Sequence, residues 1–147
     1  MSVAKGDPWH LQRFVEAQDP VYAQVCEELR RGYKSGHWMW FIFPQISGLG
    51  SSEMARRFAI SSIAEAEAYM QHPVLGKRLE ECSALALKVS ERTAHEIFGS
   101  PDDLKFRSCM TLFARVEMGP EGHTIFADNI NKYFNGKYDQ TTLDQLR

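Results

Sequence analysis

A block of bulky side chains with polar groups at both ends is the first candidate for chemistry in this sequence. Residues 37–45 read His-Trp-Met-Trp-Phe-Ile-Phe-Pro-Gln, and we call this segment the aromatic block. Its polar groups, His37, Gln45 and the indole N–H groups of Trp38 and Trp40, need hydrogen-bond partners wherever they are buried. Aromatic walls with a few fixed polar groups are typical of small-molecule sites. The alternative is that the block is simply the centre of the hydrophobic core, as most apolar runs are.

A glycine-rich segment follows the block. Residues 48–52 read Gly-Leu-Gly-Ser-Ser before a predicted helix, and we call them the glycine loop. Gly48 and Gly50 let a ligand approach the backbone closely, and free N–H groups near a helix start attract anions, so with Ser51 they form a candidate phosphate site. The segment matches neither a Walker loop nor the Rossmann fingerprint. A plain turn with a helix cap explains it without a ligand.

A third candidate lies on a helix predicted around residue 105. Lys105, Ser108 and Thr111 are three positions apart, so they share one stripe of that helix, and Arg107 adds a second cation nearby. Such a stripe can face a pocket. Alternatively, its hydroxyl groups bond back to backbone carbonyls and have a structural role.

Together these segments predict a small-ligand site for a phosphorylated nucleoside or an ADP-ribose-like compound. His37 is the candidate catalytic acid or base, because its ordinary pKa lies near working pH. Trp38 or Trp40 would stack on a base, and Lys105 and Arg107 would pair with phosphate. The full set of predicted ligand-binding residues is Trp38, Trp40, Gln45, Gly48, Gly50, Ser51, Lys105, Arg107 and Ser108. The alternative function is a non-enzymatic interaction protein whose aromatic block is pure core.

The cysteines and histidines indicate neither a metal site nor a disulfide framework. Cys26, Cys82 and Cys109 are odd in number and far apart in sequence, with no zinc-type spacing, so we expect free thiols. The sequence predicts no bound metal and no cofactor.

Helix start and stop signals punctuate almost the whole chain. Asp-Pro pairs at 7–8 and 19–20, capping-box spacings from Ser62 and Thr93, and Ser100-Pro101 all indicate helix starts. His72 is predicted to cap a helix that begins near Pro73, and residues 119–122 to form a loop. No convincing period-2 strand appears. We therefore predict an all-α fold of six to nine helices.

Composition excludes several classes of protein. The chain has 147 residues, 44% hydrophobic and 24% charged, which is ordinary for one globular domain spanning residues 1–147. A net charge of -2 argues against a nucleic-acid partner. No apolar run approaches the roughly 20 residues that span a membrane, and no signal peptide is visible, so we expect a cytoplasmic protein. The sequence leaves its oligomeric state open.

The aromatic block and the glycine loop resemble a bacterial family catalogued as domain-of-unknown-function family 1810. The resemblance extends over nearly the whole chain, through motifs that begin at Phe14, Glu28, Glu65, His72, Pro101 and Ser108. One departure is Cys109, where the family pattern leads us to expect a small residue such as Ser. The resemblance implies a one-domain, multihelical fold and brings no established activity, although some members carry the label calpastatin. A weaker similarity connects the pattern with bacterial helical proteins associated with NAD and ADP-ribose, some of which cleave N-glycosidic bonds.

Overall fold

The computed structural model describes residues 6–117 and 124–146. Within these ranges the chain forms ten helices and a single parallel bridge between Ile46 and Ile60, with no sheet, which confirms the all-α prediction. The helices are α1 (Gln12–Gln18), α2 (Tyr22–Arg31), α3 (Met39–Ile42), α4 (Glu53–Arg57), α5 (Ile63–Gln71), α6 (Leu75–Lys88), α7 (Ala94–Phe98), α8 (Asp102–Glu117), α9 (Ile125–Phe134) and α10 (Gln140–Gln145). None of these helices is long and apolar enough to cross a bilayer.

The ten described helices are one more than the predicted maximum of nine. The additional helix is α3, which lies inside the aromatic block. The sequence left that run open between a buried helical turn and a strand, and the structure shows a single helical turn from Met39 to Ile42. Periodicity could not decide between the two, because the run is bulky on every side. The loop predicted at 119–122 lies outside the described residues.

The caps predicted at Ser62, His72 and Thr93 form, whereas α1 begins at Gln12, four residues beyond Pro8, and α2 has no side-chain cap from Asp19. Ser62 accepts a hydrogen bond from the backbone N–H of Glu65, and Thr93 forms a reciprocal capping box with Glu96. His72 caps α6 through Nδ1, which accepts hydrogen bonds from the N–H groups of Val74 and Leu75 at 3.1 and 3.2 Å. These side chains satisfy donors that have no partner inside their own helix.

Helix α8 is the centre of the fold. It packs against α3, α5, α7, α9 and α10, and its Phe106, Met110 and Phe113 are fully buried. Because α8 contacts both the helix of the aromatic block and the last described helix, its polar stripe lies where these two parts of the chain meet.

A short backbone clamp holds the glycine loop in place. The N–H of Ser47 donates to the carbonyl of Ile60, and the N–H of Ile60 donates to the carbonyl of Gln45, both at 2.8 Å. The clamp joins the two ends of the segment that contains the glycine loop and α4. The buried side chains of Ile46 and Ile60 anchor it to the core.

Candidate functional site

Most of the aromatic block is hydrophobic core. The side chains of Trp38, Met39, Phe41, Ile42 and Phe43 are at most 8% exposed. The indole Nε1 of Trp38 donates to Oε1 of Glu28 at 2.8 Å, so its polar atom is satisfied inside the protein. Trp38 is therefore not accessible to a ligand in this structure, and this part of the block follows the core alternative.

Glu28 is a buried carboxylate that organises the turn before the block. It accepts hydrogen bonds from the N–H groups of Ser35 and Gly36 and from the side chains of Gln24 and Trp38. Burial alone would raise the pKa of Glu28, but these four donors favour the ionised form and lower the pKa to about 2. Glu28 thus has a structural role, and it was not identified from the sequence because three of its four donors lie seven to ten residues away.

The two remaining polar positions of the block reach the surface differently. Trp40 is half-buried, and the Lys105 ammonium lies 5.1 Å from the centroid of its ring. Gln45 is also half-buried, and its side-chain amide has no partner among the described residues. Together with the exposed His37, Trp40 and Gln45 are therefore the members of the block whose side chains reach the surface.

The glycine loop has a backbone conformation that glycine favours. Gly48 adopts a φ of 96°, a region that L side chains rarely occupy. Gly50 lies so close to α4 that a Cβ at this position would come within 2.8 Å of the Ala55 Cβ. The backbone N–H groups of residues 48–51 have no acceptor in the described part of the chain. Ser52, one residue further on, caps α4 by accepting from the N–H of Ala55.

An open cleft of about 350 Å³ lies between the glycine loop and the first half of α8. We call it the polar cleft. Its walls are Gln45, Leu49, Gly50, Ala55, Pro101, Leu104, Lys105, Ser108, Asp139 and Thr141. A smaller depression of about 130 Å³ adjoins it across Leu49 and Gly50, bordered by Trp40, Gly48 and Arg56. The structure thus brings together predicted residues from the block, the glycine loop and the stripe of α8.

Asp139 is the cleft residue that the sequence analysis missed. Its Oδ2 lies 3.1 Å from the Ser108 hydroxyl and accepts from the N–H and hydroxyl of Thr142, so it caps α10. Its Oδ1 accepts no hydrogen bond from the described residues. In the sequence, an Asp before a short polar helix indicates an ordinary helix cap. The packing of α10 on α8, which the sequence pattern does not indicate, places Asp139 beside Ser108.

Part of the polar stripe of α8 faces the cleft and part has a structural role. Lys105 lies at the cleft, where its ammonium is 3.5 Å from the Asp102 carboxylate. Ser108 lines the cleft and also lies 3.1 Å from the Leu104 carbonyl, as the structural alternative expected. Thr111 is buried and accepts from the N–H of Asp139 at 2.9 Å, so it positions the cleft wall from behind.

Besides the buried Trp38, three predicted site residues line neither the polar cleft nor the adjoining depression. His37 is exposed and borders neither depression, so the structure does not bring it to the other candidates. Arg107 donates to the carbonyls of Lys137 and Tyr138 at 2.8 and 3.0 Å and connects α8 to the segment before α10. Ser51 is exposed and lines neither depression, although its carbonyl accepts from the Arg56 guanidinium.

Thiols and carboxylates do not form a metal site in the described ranges. No group of three or more His, Cys, Asp or Glu side chains is arranged there to hold a metal ion. All three cysteines are free thiols, as predicted, and all are buried.

Fold and site together define a protein whose described residues are helical and form an open polar cleft between a glycine loop and the central helix. Residues 8–146 match the family described as "Protein of unknown function (DUF1810)", so the chain belongs to that family, as the motifs indicated. The chain is similar to the conserved hypothetical protein Rv1873 from Mycobacterium tuberculosis, whose crystal structure shares 54% sequence identity and a TM-score of 0.91. The alignment covers 95% of this chain and 98% of that one. No curated protein sequence matches the chain.

Proposed function

We propose that the protein binds a small phosphorylated ligand, of the nucleotide or ADP-ribose type, in the polar cleft. The observation that carries this proposal is the convergence of Gln45, Gly50, Lys105 and Ser108 on one cleft, although they come from two distant segments of the chain. A volume of about 350 Å³ lies at the lower end of the range for small-molecule sites.

Charge favours the Lys105 side of the cleft for the phosphate. The Lys105 ammonium is 3.5 Å from the Asp102 carboxylate, a distance longer than that of a charge-assisted hydrogen bond. The ammonium can therefore donate to a phosphate oxygen without breaking a strong hydrogen bond to Asp102. The N–H groups of Gly50 and of its neighbours in the glycine loop have no acceptor among the described residues and add further donors.

Two acceptors suit the rest of a nucleotide. Asp139 Oδ1 and the amide of Gln45 have no partner among the described residues, and both can bond to ribose hydroxyls or base edges. The half-buried Trp40 ring borders the adjoining depression, where a flat base can pack against it.

The proposal is restricted to binding. Cleavage of an N-glycosidic bond needs an acid or base within hydrogen-bond reach of the ligand. Of the described residues that line the cleft, Asp139 is the one carboxylate, and its Oδ2 already caps α10. His37, the candidate acid or base from the sequence, does not line the cleft.

Isothermal titration calorimetry against ADP, ADP-ribose, AMP, ribose 5-phosphate and inorganic phosphate tests the proposal, with adenosine as the unphosphorylated comparison. We expect at least one phosphorylated compound to bind and adenosine to bind more weakly. A thermal-shift screen provides a second measurement, since a ligand at 100 times its dissociation constant adds about 2.7 kcal/mol to the free energy of unfolding.

A matched pair of variants locates the site. Lys105→Gln removes the ammonium from the cleft and should weaken binding by about tenfold or more. Lys77→Gln makes the same change at an exposed position of α6 and should leave binding unchanged. Absence of binding by every compound at millimolar concentration would overturn the proposal, and equal losses in both variants would place the site elsewhere.

The alternative function, protein recognition, has one observation in its favour. Leu104 at the rim of the cleft is 56% exposed and offers a partner an apolar contact beside the polar lining. If the cleft serves a protein partner, none of the compounds in the calorimetric series should bind, so the same titrations separate the two functions.

A further inference from the structure

Two cysteines lie on α2 and α6, which pack against each other away from the polar cleft. Cys82 lies on α6, and its Sγ is 3.8 Å from the hydroxyl of Tyr22 on α2. Cys26 follows Tyr22 by four residues, so the two side chains are neighbours on one face of α2. Cys82 therefore faces both residues, although 56 positions separate it from Cys26 in the sequence.

The two thiols differ in exposure. Cys26 is 9% exposed, whereas Cys82 is 1% exposed and Cys109 is fully buried. A small oxidant from solvent therefore reaches Cys26 first. Cys82 lies behind it in the same interface and is open to attack only from its neighbour.

Hydrogen bonds and charges give the two thiols different roles. The Tyr22 hydroxyl donates to the Glu81 carboxylate at 2.6 Å, so its oxygen is free to accept from the Cys82 thiol. The interaction with Cys82 lowers the pKa of Cys26 against the effect of burial, and Arg30, one turn further along α2, lowers it as well. The same interaction, together with burial, raises the pKa of Cys82. Arg78, which lies 4.7 Å from the Tyr22 ring centroid and pairs with Asp19, is the other cation facing the cluster.

We propose that Cys26 and Cys82 are a peroxide-sensitive pair that closes to a disulfide between α2 and α6, with Cys26 attacking the oxidant and Cys82 resolving the product. The proposal is independent of ligand binding in the cleft. A thiol of lowered pKa that is more exposed than a second thiol near it suits reversible oxidation.

The chemistry balances with hydrogen peroxide as the oxidant. The Cys26 thiolate attacks one peroxide oxygen, so an S–O bond forms, the O–O bond breaks and hydroxide leaves. The Cys82 thiol then loses its proton and attacks the Cys26 sulfur, so the S–S bond forms and the S–O bond breaks. The hydroxyl group of the Cys26 sulfenic acid takes up that proton and leaves as water. Overall, two thiols lose two electrons and two hydrogens, and one peroxide becomes two waters.

Mass spectrometry of the intact, folded chain tests the proposal. The protein is treated with hydrogen peroxide, its remaining thiols are alkylated in denaturant, and it is digested without reductant. We expect an intact mass lower by about 2 Da before alkylation, a single alkylated cysteine at position 109, and a cross-linked peptide pair that dithiothreitol separates. Three alkylated cysteines, or a cross-link that includes Cys109, would overturn it.

Single substitutions show which cysteines form the cross-link. Cys109→Ser should still form the cross-link, whereas Cys26→Ser should not, and it changes the more exposed thiol of the pair. Tyr22→Phe keeps both thiols and the ring but removes the hydroxyl beside Cys82, and the same cross-link should form without it. Oxidation of Cys26 to sulfinic acid in the wild type without any cross-link would contradict the role given to Cys82.

Discussion

Trp38 Nε1 and Glu28 Oε1 are joined by a hydrogen bond of 2.8 Å inside the protein, where both residues are 1% exposed. The same carboxylate oxygen accepts from the N–H groups of Ser35 and Gly36 at 2.9 and 3.0 Å. One buried carboxylate therefore fixes the whole turn between α2 and the aromatic block. Trp38 belongs to the scaffold as a result, and Trp40 and Gln45 are the members of the block left facing the two depressions.

Removal of this carboxylate should destabilise the fold. Glu28→Ala leaves three donors facing Oε1 without their acceptor, and we expect the free energy of unfolding to fall by about 3 kcal/mol or more. Urea unfolding followed by tryptophan fluorescence measures the loss. Glu27→Ala is the control, because Glu27 forms an exposed pair with Arg30 and should change stability by less than about 1 kcal/mol. Similar effects in both variants would contradict the structural role of Glu28.

Acid should remove the contribution of Glu28 in a defined window. Its pKa is about 2 in the folded chain, against an ordinary value of 4.5, so between these values the unfolded chain binds more protons. The stabilisation is therefore complete above about pH 4.5 and is lost as the pH falls toward about 2. We expect the stability difference between wild type and Glu28→Gln to shrink across this window in urea titrations. A difference independent of pH would show that ionisation of Glu28 is not involved.

Gly76 should tolerate no side chain. A Cβ at this position would lie 2.1 Å from the carbonyl oxygen of Met70, so α5 and α6 could not keep their present approach. We expect Gly76→Ala to lower the free energy of unfolding by about 2 kcal/mol or more, measured by thermal or urea unfolding. Lys77→Ala, at the neighbouring exposed position, should stay within about 0.5 kcal/mol of wild type. A stable Gly76→Ala variant would mean that the turn between α5 and α6 rearranges freely.

Arg107 should act on stability and not on phosphate. Arg107→Lys loses the fork that donates to the Lys137 and Tyr138 carbonyls, and we expect a loss of about 1 to 2 kcal/mol in urea unfolding. Arg115→Lys at an exposed position of the same helix is the control. For any ligand that the wild type binds, Arg107→Lys should weaken affinity much less than Lys105→Gln does. The reverse order would restore the phosphate role that the sequence suggested for Arg107.

Local signals explain why the helices could be predicted. Helix caps are formed within a few residues by Ser62, His72 and Thr93. Such short-range hydrogen bonds can be predicted from residue type and spacing alone. The short α3 could not be assigned this way. Its run of bulky residues has no polar face, and packing against α1, α6 and α8 gives it its helical turn.

Site residues were predictable only where the chain runs continuously. Gln45 and Gly50 lie on one segment and reach the polar cleft together, as expected from their proximity. Asp139 reaches it through the docking of α10 on α8, and Arg107 points to a different partner although it is two residues from Lys105. Which face of a helix meets which neighbour depends on contacts far apart in sequence, and a pattern of residue types does not encode them.

The position of α10 links the end of the described chain to the candidate site. Asp139 caps this helix with one carboxylate oxygen and lines the polar cleft. The side chain of Gln145 lies close to Gly48, since a Cβ at Gly48 would be 3.3 Å from it. Local unfolding of α10 would therefore remove one wall of the cleft and the contact of Gln145 with the glycine loop at the same time. A ligand held by Asp139 would bind the form in which α10 is docked and would stabilise it, so its binding should slow amide hydrogen exchange in residues 140–145.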